Sequence, residues 1–195
     1  VRPLRDDKIL TDWNGLMIAS LPYAGRVLDE AEPVAMASGA ADFILEKMID
    51  HEGRLYHRYR EGERAIEAFL DDHSFLSWGL FELYRSTGKE HYLRKTETLI
   101  SGMIDRFWDR DNWGFFFTPE GQEDLLFRRK EAYDGAILSG NAVAALVLTE
   151  MGRITGEQDH RNRAEKVLRA FSSIITGIPA SHTSMLKVMM DLQGD

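Results

Sequence analysis

The sequence contains no cysteine in its 195 residues. This absence excludes a disulfide framework, a thiolate metal site and a cysteine nucleophile. No stretch approaches the roughly 18 consecutive apolar residues that a membrane-spanning helix needs, and no signal peptide is recognisable. Together these absences predict a cytoplasmic protein that has no membrane partner.

Positive charge is scarce relative to negative charge. The sequence has 24 Lys and Arg residues against 32 Asp and Glu residues, which gives a net charge of −8. An acidic surface repels the phosphates of nucleic acids, so we expect no nucleic-acid partner. The content of hydrophobic residues, 44%, is ordinary for a folded chain, and the length suffices for one domain with a core.

Apolar residues recur at helical spacing throughout the sequence. They predict six helices, with room for a seventh in residues 179–193, and the six cover residues 12–29, 32–49, 72–87, 90–108, 139–155 and 159–175. The odd helices are apolar on most sides, which is typical of buried helices, whereas the even ones carry a single apolar stripe. This alternation is what a ring or solenoid of αα-hairpins requires.

A short pattern repeats at the helix boundaries. Residues 85–88 recur in similar form 68 residues later as residues 153–156, and residues 26–29 occupy the same place in the first helix pair. Such a period suits two helices plus a long connection, and residues 55–59 in one such connection look extended. We therefore predict one all-α domain over residues 1–195, built from about three αα-hairpins with short β-hairpin-like connections.

In a ring of hairpins the odd helices point the same way, so their N-termini lie on one rim together with the long connections. Polar and aromatic residues concentrate there, in residues 6–15, 58, 71–74, 113–118 and 128–141. Aromatic faces stack on sugar rings, and carboxylic acids act in pairs in glycoside hydrolysis. The rim therefore predicts a site for a sugar-like small molecule.

The candidate site residues form three groups by their chemistry. The acid/base candidates are Asp7, Asp72, His73, Glu131 and Asp134; the stacking candidates are Trp13, Trp113 and Tyr133; the polar groups that would orient a ligand are Lys8, Asn14, Arg58 and Asn141. Glycoside hydrolysis would place two carboxyls about 5–10 Å apart. Epimerisation would need a base at the same place, for which His73 is the candidate.

A second interpretation of these residues needs no ligand. Asp12, Asp72, Ser139 and Asn141 are all good N-cap residues, so helix capping alone explains acids and amides at helix starts. The aromatic residues are also typical of a core, and the cations of a solvated surface. The six histidines show no zinc-binding pair, and no phosphate loop is recognisable, so we predict no metal and no cofactor.

Four blocks of the sequence, residues 5–18, 70–76, 113–118 and 130–141, resemble those of a known family and occur in its order. It is the thioredoxin-domain-containing family that includes spermatogenesis-associated protein 20. The resemblance implies a thioredoxin-like domain followed by an (α/α)6 barrel similar to N-acylglucosamine 2-epimerase and six-hairpin glycosidases. This chain would hold about half of that barrel, a partial (α/α)6 toroid, and none of the thioredoxin-like domain.

The resemblance also implies a carbohydrate-related function, namely sugar binding, glycoside hydrolysis or epimerisation, and it favours an enzyme in the full-length protein. The alternative is a non-catalytic binding or scaffold module attached to a thioredoxin-like redox domain. In either case a partial ring leaves apolar inner helices uncovered, and we therefore expect the chain to self-associate.

Overall fold

The computed structural model describes residue 3, residues 5–121 and residues 126–194, which are mainly helical. The helices of these residues are α1 (Thr11–Leu28), α2 (Ala31–Lys47), α3 (Leu70–Thr87), α4 (Glu90–Phe107), α5 (Gly140–Thr155), α6 (Gln158–Ala170), α7 (Ser172–Gly177) and α8 (Thr183–Gln193). The first six form the three predicted αα-hairpins. The predicted sixth helix is divided in two, since α6 ends at Ala170 and α7 begins at Ser172. Helix α8 occupies most of the seventh predicted segment.

The three hairpins turn in the same way. Helices α1, α3 and α5 each end at a residue with left-handed backbone: Asp29 at φ 56°, Gly88 at φ 67° and Gly156 at φ 75°. In each case the N–H of this residue donates to the carbonyl four residues earlier and closes the last turn. Glycine adopts this conformation at no steric cost, so the repeated pattern at residues 85–88 and 153–156 marks helix stops.

A small antiparallel sheet connects the first hairpin to the second. Its strands, in spatial order, are β1 (Ile9–Leu10), β2 (Tyr56–Arg60) and β3 (Glu63–Glu67). Ile9 lies opposite Tyr59, and Arg58 lies opposite Ala65. The extended segment predicted at residues 55–59 is thus confirmed as the middle strand. Because β1 leads into α1 and β3 leads into α3, the sheet holds the N-termini of these two helices together.

The apolar core consists of two clusters that share α3 and α4. One cluster contains residues of helices α1 through α4 and is centred on Ile18, Ile44 and Leu80. The other contains residues of helices α3 through α8 and includes Phe75 and Phe107. Helices α3 and α5 are buried on most sides, whereas α4 and α6 are buried along one stripe. The predicted alternation is therefore confirmed for these two hairpins.

Helix α1 differs from the other odd helices. It packs directly on α3, since a Cβ on Gly15 would lie 2.6 Å from the backbone nitrogen of Leu76. Its other face is exposed and carries the large apolar side chains Trp13, Met17, Tyr23, Val27 and Leu28. The expectation of all-round burial is wrong for this helix, and self-association through its exposed face stays a prediction. Of the helices in the described ranges, none has the length and apolarity to cross a membrane.

Candidate functional site

The N-termini of α1, α3 and α5 meet, as the hairpin arrangement predicts. At the start of α1, the backbone N–H of Asp12 donates a hydrogen bond of 2.9 Å to the carboxylate of Asp72 in the first turn of α3. At the start of α5, Gly140 lies so close to α3 that a Cβ there would be 2.0 Å from Oδ1 of Asp71. These two adjacent aspartates therefore face different neighbours, and they define the candidate site.

Asp72 is completely buried and fully hydrogen-bonded. Besides the N–H of Asp12, its carboxylate accepts the N–H of Phe69 at 2.8 Å, and it lies 3.0 Å from Nδ1 of His57. Since a carboxylate can only accept, Nδ1 of His57 carries the hydrogen. The hydrogen bond to Asp72 raises the pKa of His57. Asp72 thus ties α1, α3 and β2 together, and this geometry matches the capping interpretation.

A metal ion is the other occupant that this group of side chains suggests. Asp12, His57 and Asp72 each offer one ligand atom, and these atoms lie within 4.8 Å of one another. However, both oxygens of Asp72 already accept backbone N–H groups, and Nδ1 of His57 faces the same carboxylate. Burial and the charge of Asp72 raise the pKa of Asp12. We interpret the group as a hydrogen-bonded anchor.

Asp71 has the opposite environment. It lines a cavity of about 270 Å³ together with Phe117, Arg129, Glu131 and Tyr133. Its carboxylate makes no hydrogen bond or ion pair with any part of the chain that the structure describes. Burial raises the pKa of Asp71 to about 7, and the nearby negative charges add to this effect. A carboxyl that titrates near neutral pH in a cavity is suited to general acid/base catalysis.

The helix geometry explains why neighbours in sequence behave so differently. Successive residues of an α-helix point about 100° apart. When the side chain of Asp72 turns back toward the backbone N–H of Phe69, that of Asp71 turns toward the start of α5. The predicted rim includes both acids, but the acid/base candidates predicted from the sequence include only Asp72.

The position of Asp71 depends on the absence of a side chain at Gly140. We expect the Gly140→Ala substitution to push the Asp71 carboxylate away, because the new Cβ would lie 2.0 Å from its Oδ1. The pKa of Asp71 should fall from about 7 toward its ordinary range, at a cost in stability on the order of 1 kcal/mol. A carboxyl ¹³C titration checks this. The control is Gly39→Ala, where a Cβ meets nothing within 4 Å; an equal pKa of Asp71 in both variants would contradict the expectation.

Glu131 and Tyr133 line the same cavity as Asp71. Glu131 forms an ion pair of 2.7 Å with Arg129, and both side chains are about half exposed. Tyr133 is 63% exposed. The guanidinium of Arg129 lies 5.0 Å from the centre of the Phe117 ring. The cavity therefore combines aromatic faces, a cation and two carboxyls.

Asp134 serves the packing of α8. Its carboxylate accepts the N–H of Ser184 at 2.9 Å, the hydroxyl of Thr183 at 3.3 Å and the N–H of Ser139 at 3.2 Å. Burial alone would raise the pKa of Asp134, but the hydrogen bonds from Ser184, Ser139 and Thr183 hold it below the ordinary value. The carboxylate therefore joins the start of α8 to the start of α5. Its catalytic role stays a prediction.

Asn141 holds two loops against α5. Its Oδ1 accepts the N–H of Phe115 at 2.8 Å, and its Nδ2 donates to the carbonyls of Phe115 at 2.9 Å and Glu131 at 2.8 Å. The side chain is completely buried. Although Asn141 lines the cavity, its amide is occupied by these three bonds. It positions the backbone of Glu131 beside Asp71.

His73 lies away from this cavity. It is buried between α3 and α4, where Nδ1 is 3.3 Å from the carbonyl of Leu99 and the ring packs at 5.3 Å on Phe107. It lines a different cavity, on the side of α2 and α4. The structure thus does not bring His73 together with the other acid/base candidates.

Three predicted rim residues lie on or beside the small sheet. Asp7 forms an ion pair of 2.7 Å with Arg60, and Lys8 forms one of 3.3 Å with Asp6, all of them well exposed. Arg58 lies in β2, and its Nε is buried without a hydrogen-bond partner among the described residues. None of these three residues lines the cavity beside Asp71.

The remaining candidates are also separate from that cavity. Trp13 is exposed on α1, and Nδ2 of Asn14 donates to the carbonyl of Leu10 at 2.7 Å. Trp113 has a left-handed backbone with φ 61°, and its carbonyl accepts from Nζ of Lys130 at 2.9 Å. Of the twelve residues chosen from the sequence, only Glu131, Tyr133 and Asn141 line the cavity that contains Asp71.

Comparison with solved structures identifies the class of fold. The chain superposes on a GH76 alpha-mannanase from Bacteroides thetaiotaomicron with a TM-score of 0.80 at 15% identity, covering 96% of this chain and 53% of that one. It superposes on cellobiose 2-epimerase from Bacillus thermoamylovorans with a TM-score of 0.71 at 16% identity, covering 87% and 46%. The predicted partial (α/α)6 fold is thus confirmed.

Comparison of sequences gives a more particular similarity. The chain is 31% identical over 194 residues to spermatogenesis-associated protein 20 of Rattus norvegicus, which covers 94% of this chain and 25% of the relative. It therefore spans about a quarter of the length of that relative. No family model matches the chain. The resemblance noted from the four blocks is confirmed at this level, and the thioredoxin-like domain stays a prediction.

Proposed function

We propose that this chain forms part of an enzyme that binds a sugar-like molecule in the cavity beside Asp71 and acts on it by acid/base chemistry. The observation that carries the proposal is the Asp71 carboxyl, which lines the cavity, is free of hydrogen bonds within the described chain, and has a pKa near 7. The similarity of fold to a mannanase and a sugar epimerase supports the choice of substrate class.

Four of the residues that line the cavity would act directly on the sugar in this proposal. Asp71 gives a proton to, or takes one from, the reacting sugar, since a proton-exchanging group works best with a pKa near the working pH. Glu131 supplies the second carboxyl, which hydrolysis would use to stabilise the positive charge that develops on the sugar ring. Tyr133 offers an exposed ring for stacking, and Arg129 donates hydrogen bonds to hydroxyls.

The buried polar residues act on the site through the backbone. Asp72 fixes the first turn of α3 and so determines where Asp71 points. Asn141 fixes the carbonyl of Glu131, and Asp134 fixes the N–H of Ser139. We therefore assign Asp72, Asp134 and Asn141 positioning roles, in place of the catalytic and ligand-binding roles that the sequence suggested.

The test of sugar binding uses the full-length protein and an array of monosaccharides, oligosaccharides and nucleotide sugars. We expect at least one sugar to bind saturably, and Tyr133→Ala to weaken that binding about tenfold or more, because an aromatic stacking surface is lost. The matched control is Trp13→Ala, which removes an exposed aromatic ring that does not line the cavity. Calorimetry measures both. No saturable binding of any sugar would sink the proposal.

A second candidate function is a non-catalytic scaffold that serves a thioredoxin-like domain. The observation that favours it is the state of the acids chosen from the sequence: Asp7 and Glu131 pair with arginines, while Asp72 and Asp134 accept backbone hydrogen bonds. A scaffold predicts that the array finds no ligand and that neutralising Asp71 affects stability alone.

A further inference from the structure

A second cavity lies outside the rim site and shares no lining residue with it. Its volume is about 480 Å³, and it is enclosed by the end of α2, residues 49–54, the start of α3 and one side of α4. Leu45, Ile49 and Leu99 supply apolar walls. The volume falls within the usual range for small-molecule sites, which are concave and mainly apolar with a few polar groups.

His73 is the polar group at the base of this cavity. The residue is 4% exposed. Its Nδ1 lies 3.3 Å from the carbonyl of Leu99, and because a carbonyl only accepts, Nδ1 carries the hydrogen. Its Nε2 then presents a lone pair, and this buried atom has no hydrogen-bond partner among the described residues. Burial lowers the pKa of His73 to about 4, so the ring is neutral at physiological pH.

Gly102 lies beside the buried ring of His73 at the wall of the cavity. A Cβ at this position of α4 would meet Cε1 of His73 at 3.6 Å and nothing else within 4 Å. A larger side chain at residue 102 would therefore extend across the edge of the ring that holds Nε2. Gly102 also lines the cavity, so a side chain at this position would lie against both the cavity and the ring of His73.

Four of the five charged residues that line the cavity are held in ion pairs, and the fifth, Lys95, has no ion-pair partner among the described residues. Arg106 forms an ion pair with Glu67, and Arg54 pairs with Glu52 at 3.0 Å and with Asp50 at 2.9 Å. A strongly charged ligand would have to compete with these pairs. The lining instead favours a neutral molecule with an apolar body.

We propose that this cavity is a second ligand site, and that it takes a small neutral molecule with an apolar body and one hydroxyl or N–H group that donates to Nε2 of His73. The hydrogen bond supplies the selectivity, because a buried acceptor left unpaired by an apolar ligand costs free energy. The apolar walls supply most of the affinity. The site is independent of the sugar chemistry at the rim.

The test compares 4-fluorophenol with 4-fluorotoluene by ¹⁹F NMR, since the two probes have nearly the same shape and a hydroxyl in one replaces a methyl group in the other. We expect saturable binding of 4-fluorophenol, about tenfold tighter than that of 4-fluorotoluene, as one hydrogen bond provides. In the same titration the ¹⁵N signal of His73 Nε2 should shift with 4-fluorophenol only. Equal binding of the two probes, or no saturable shift from either, would overturn the proposal.

Two variants separate the site from non-specific binding. His73→Phe keeps a ring against Phe107 and should remove the difference between the probes. Gly102→Leu should weaken the binding of both probes about tenfold or more, because the new side chain occupies part of the cavity beside His73, whereas the matched control Gly39→Leu, on an open face of α2, should leave it unchanged. Melting curves establish that the variants fold. Undiminished binding of 4-fluorophenol to Gly102→Leu would place it elsewhere and contradict the assignment.

Discussion

The Asp72→Asn variant is expected to lose about 3–5 kcal/mol of the free energy of unfolding, as is typical when a buried, hydrogen-bonded charge is disrupted. The Asp72 carboxylate accepts two backbone N–H groups and the Nδ1–H of His57. An asparagine presents one NH2 group, which cannot accept, so at least one buried donor loses its partner. Urea unfolding at pH 7 measures the loss.

The control for the Asp72→Asn variant is Asp7→Asn. Asp7 is also paired, with Arg60 at 2.7 Å, but both side chains are nearly half exposed. An exposed ion pair contributes only about 0–1 kcal/mol, so this variant should unfold almost as the wild type does. If Asp72→Asn were as stable as Asp7→Asn, Asp72 would not be the anchor of the three elements.

The substitution at the adjacent residue, Asp71→Asn, is expected to stabilise the protein, whereas Asp72→Asn destabilises it. The folded protein raises the pKa of Asp71 from 3.8 to about 7. The folded state therefore binds this proton more tightly than the unfolded state, and stability falls as pH rises from about 4 to about 7. Removing the charge should increase the free energy of unfolding at pH 8 by about 1–3 kcal/mol, with little difference below pH 4.

The same variant should lose activity. Once a substrate of the full-length protein is known, Asp71→Asn should reduce turnover about 10²–10⁴-fold, which is the usual contribution of a general acid or base. A variant that gains stability but loses turnover is typical of an active site in which a functional group destabilises the folded protein. A variant that turns over at the wild-type rate, or that is less stable at pH 8, would refute the role of Asp71.

The sequence predicted the helices well because local patterns determine them. Apolar spacing located the three hairpins, and the residues that end α3 and α5, Gly88 and Gly156, gave a recognisable repeat. Of the three strands of the sheet, only the middle one was predicted from the sequence. The sequence of residues 55–59 predicts an extended segment. Its pairing with the two residues of β1 depends on where α1 and α3 start, and no local sequence pattern predicts these relative positions.

The candidate site was predictable as a region but not as a set of residues. Asp71 and Asp72 are identical in type and adjacent, and only the rotation of α3 against α5 decides which one enters the cavity. His57 was missed because a single histidine within a short strand has no distinctive spacing. His73 was misplaced because its side of α3 faces α4 rather than the rim.

The central claim is that Asp71 lines a ligand cavity and has a pKa near neutral pH. One titration tests this claim most directly. The ¹³C chemical shift of the Asp71 carboxyl, assigned by comparison with Asp71→Asn, is followed from pH 3 to pH 9. The account predicts a midpoint near 7. A midpoint near the ordinary value of 3.8 would contradict the claim.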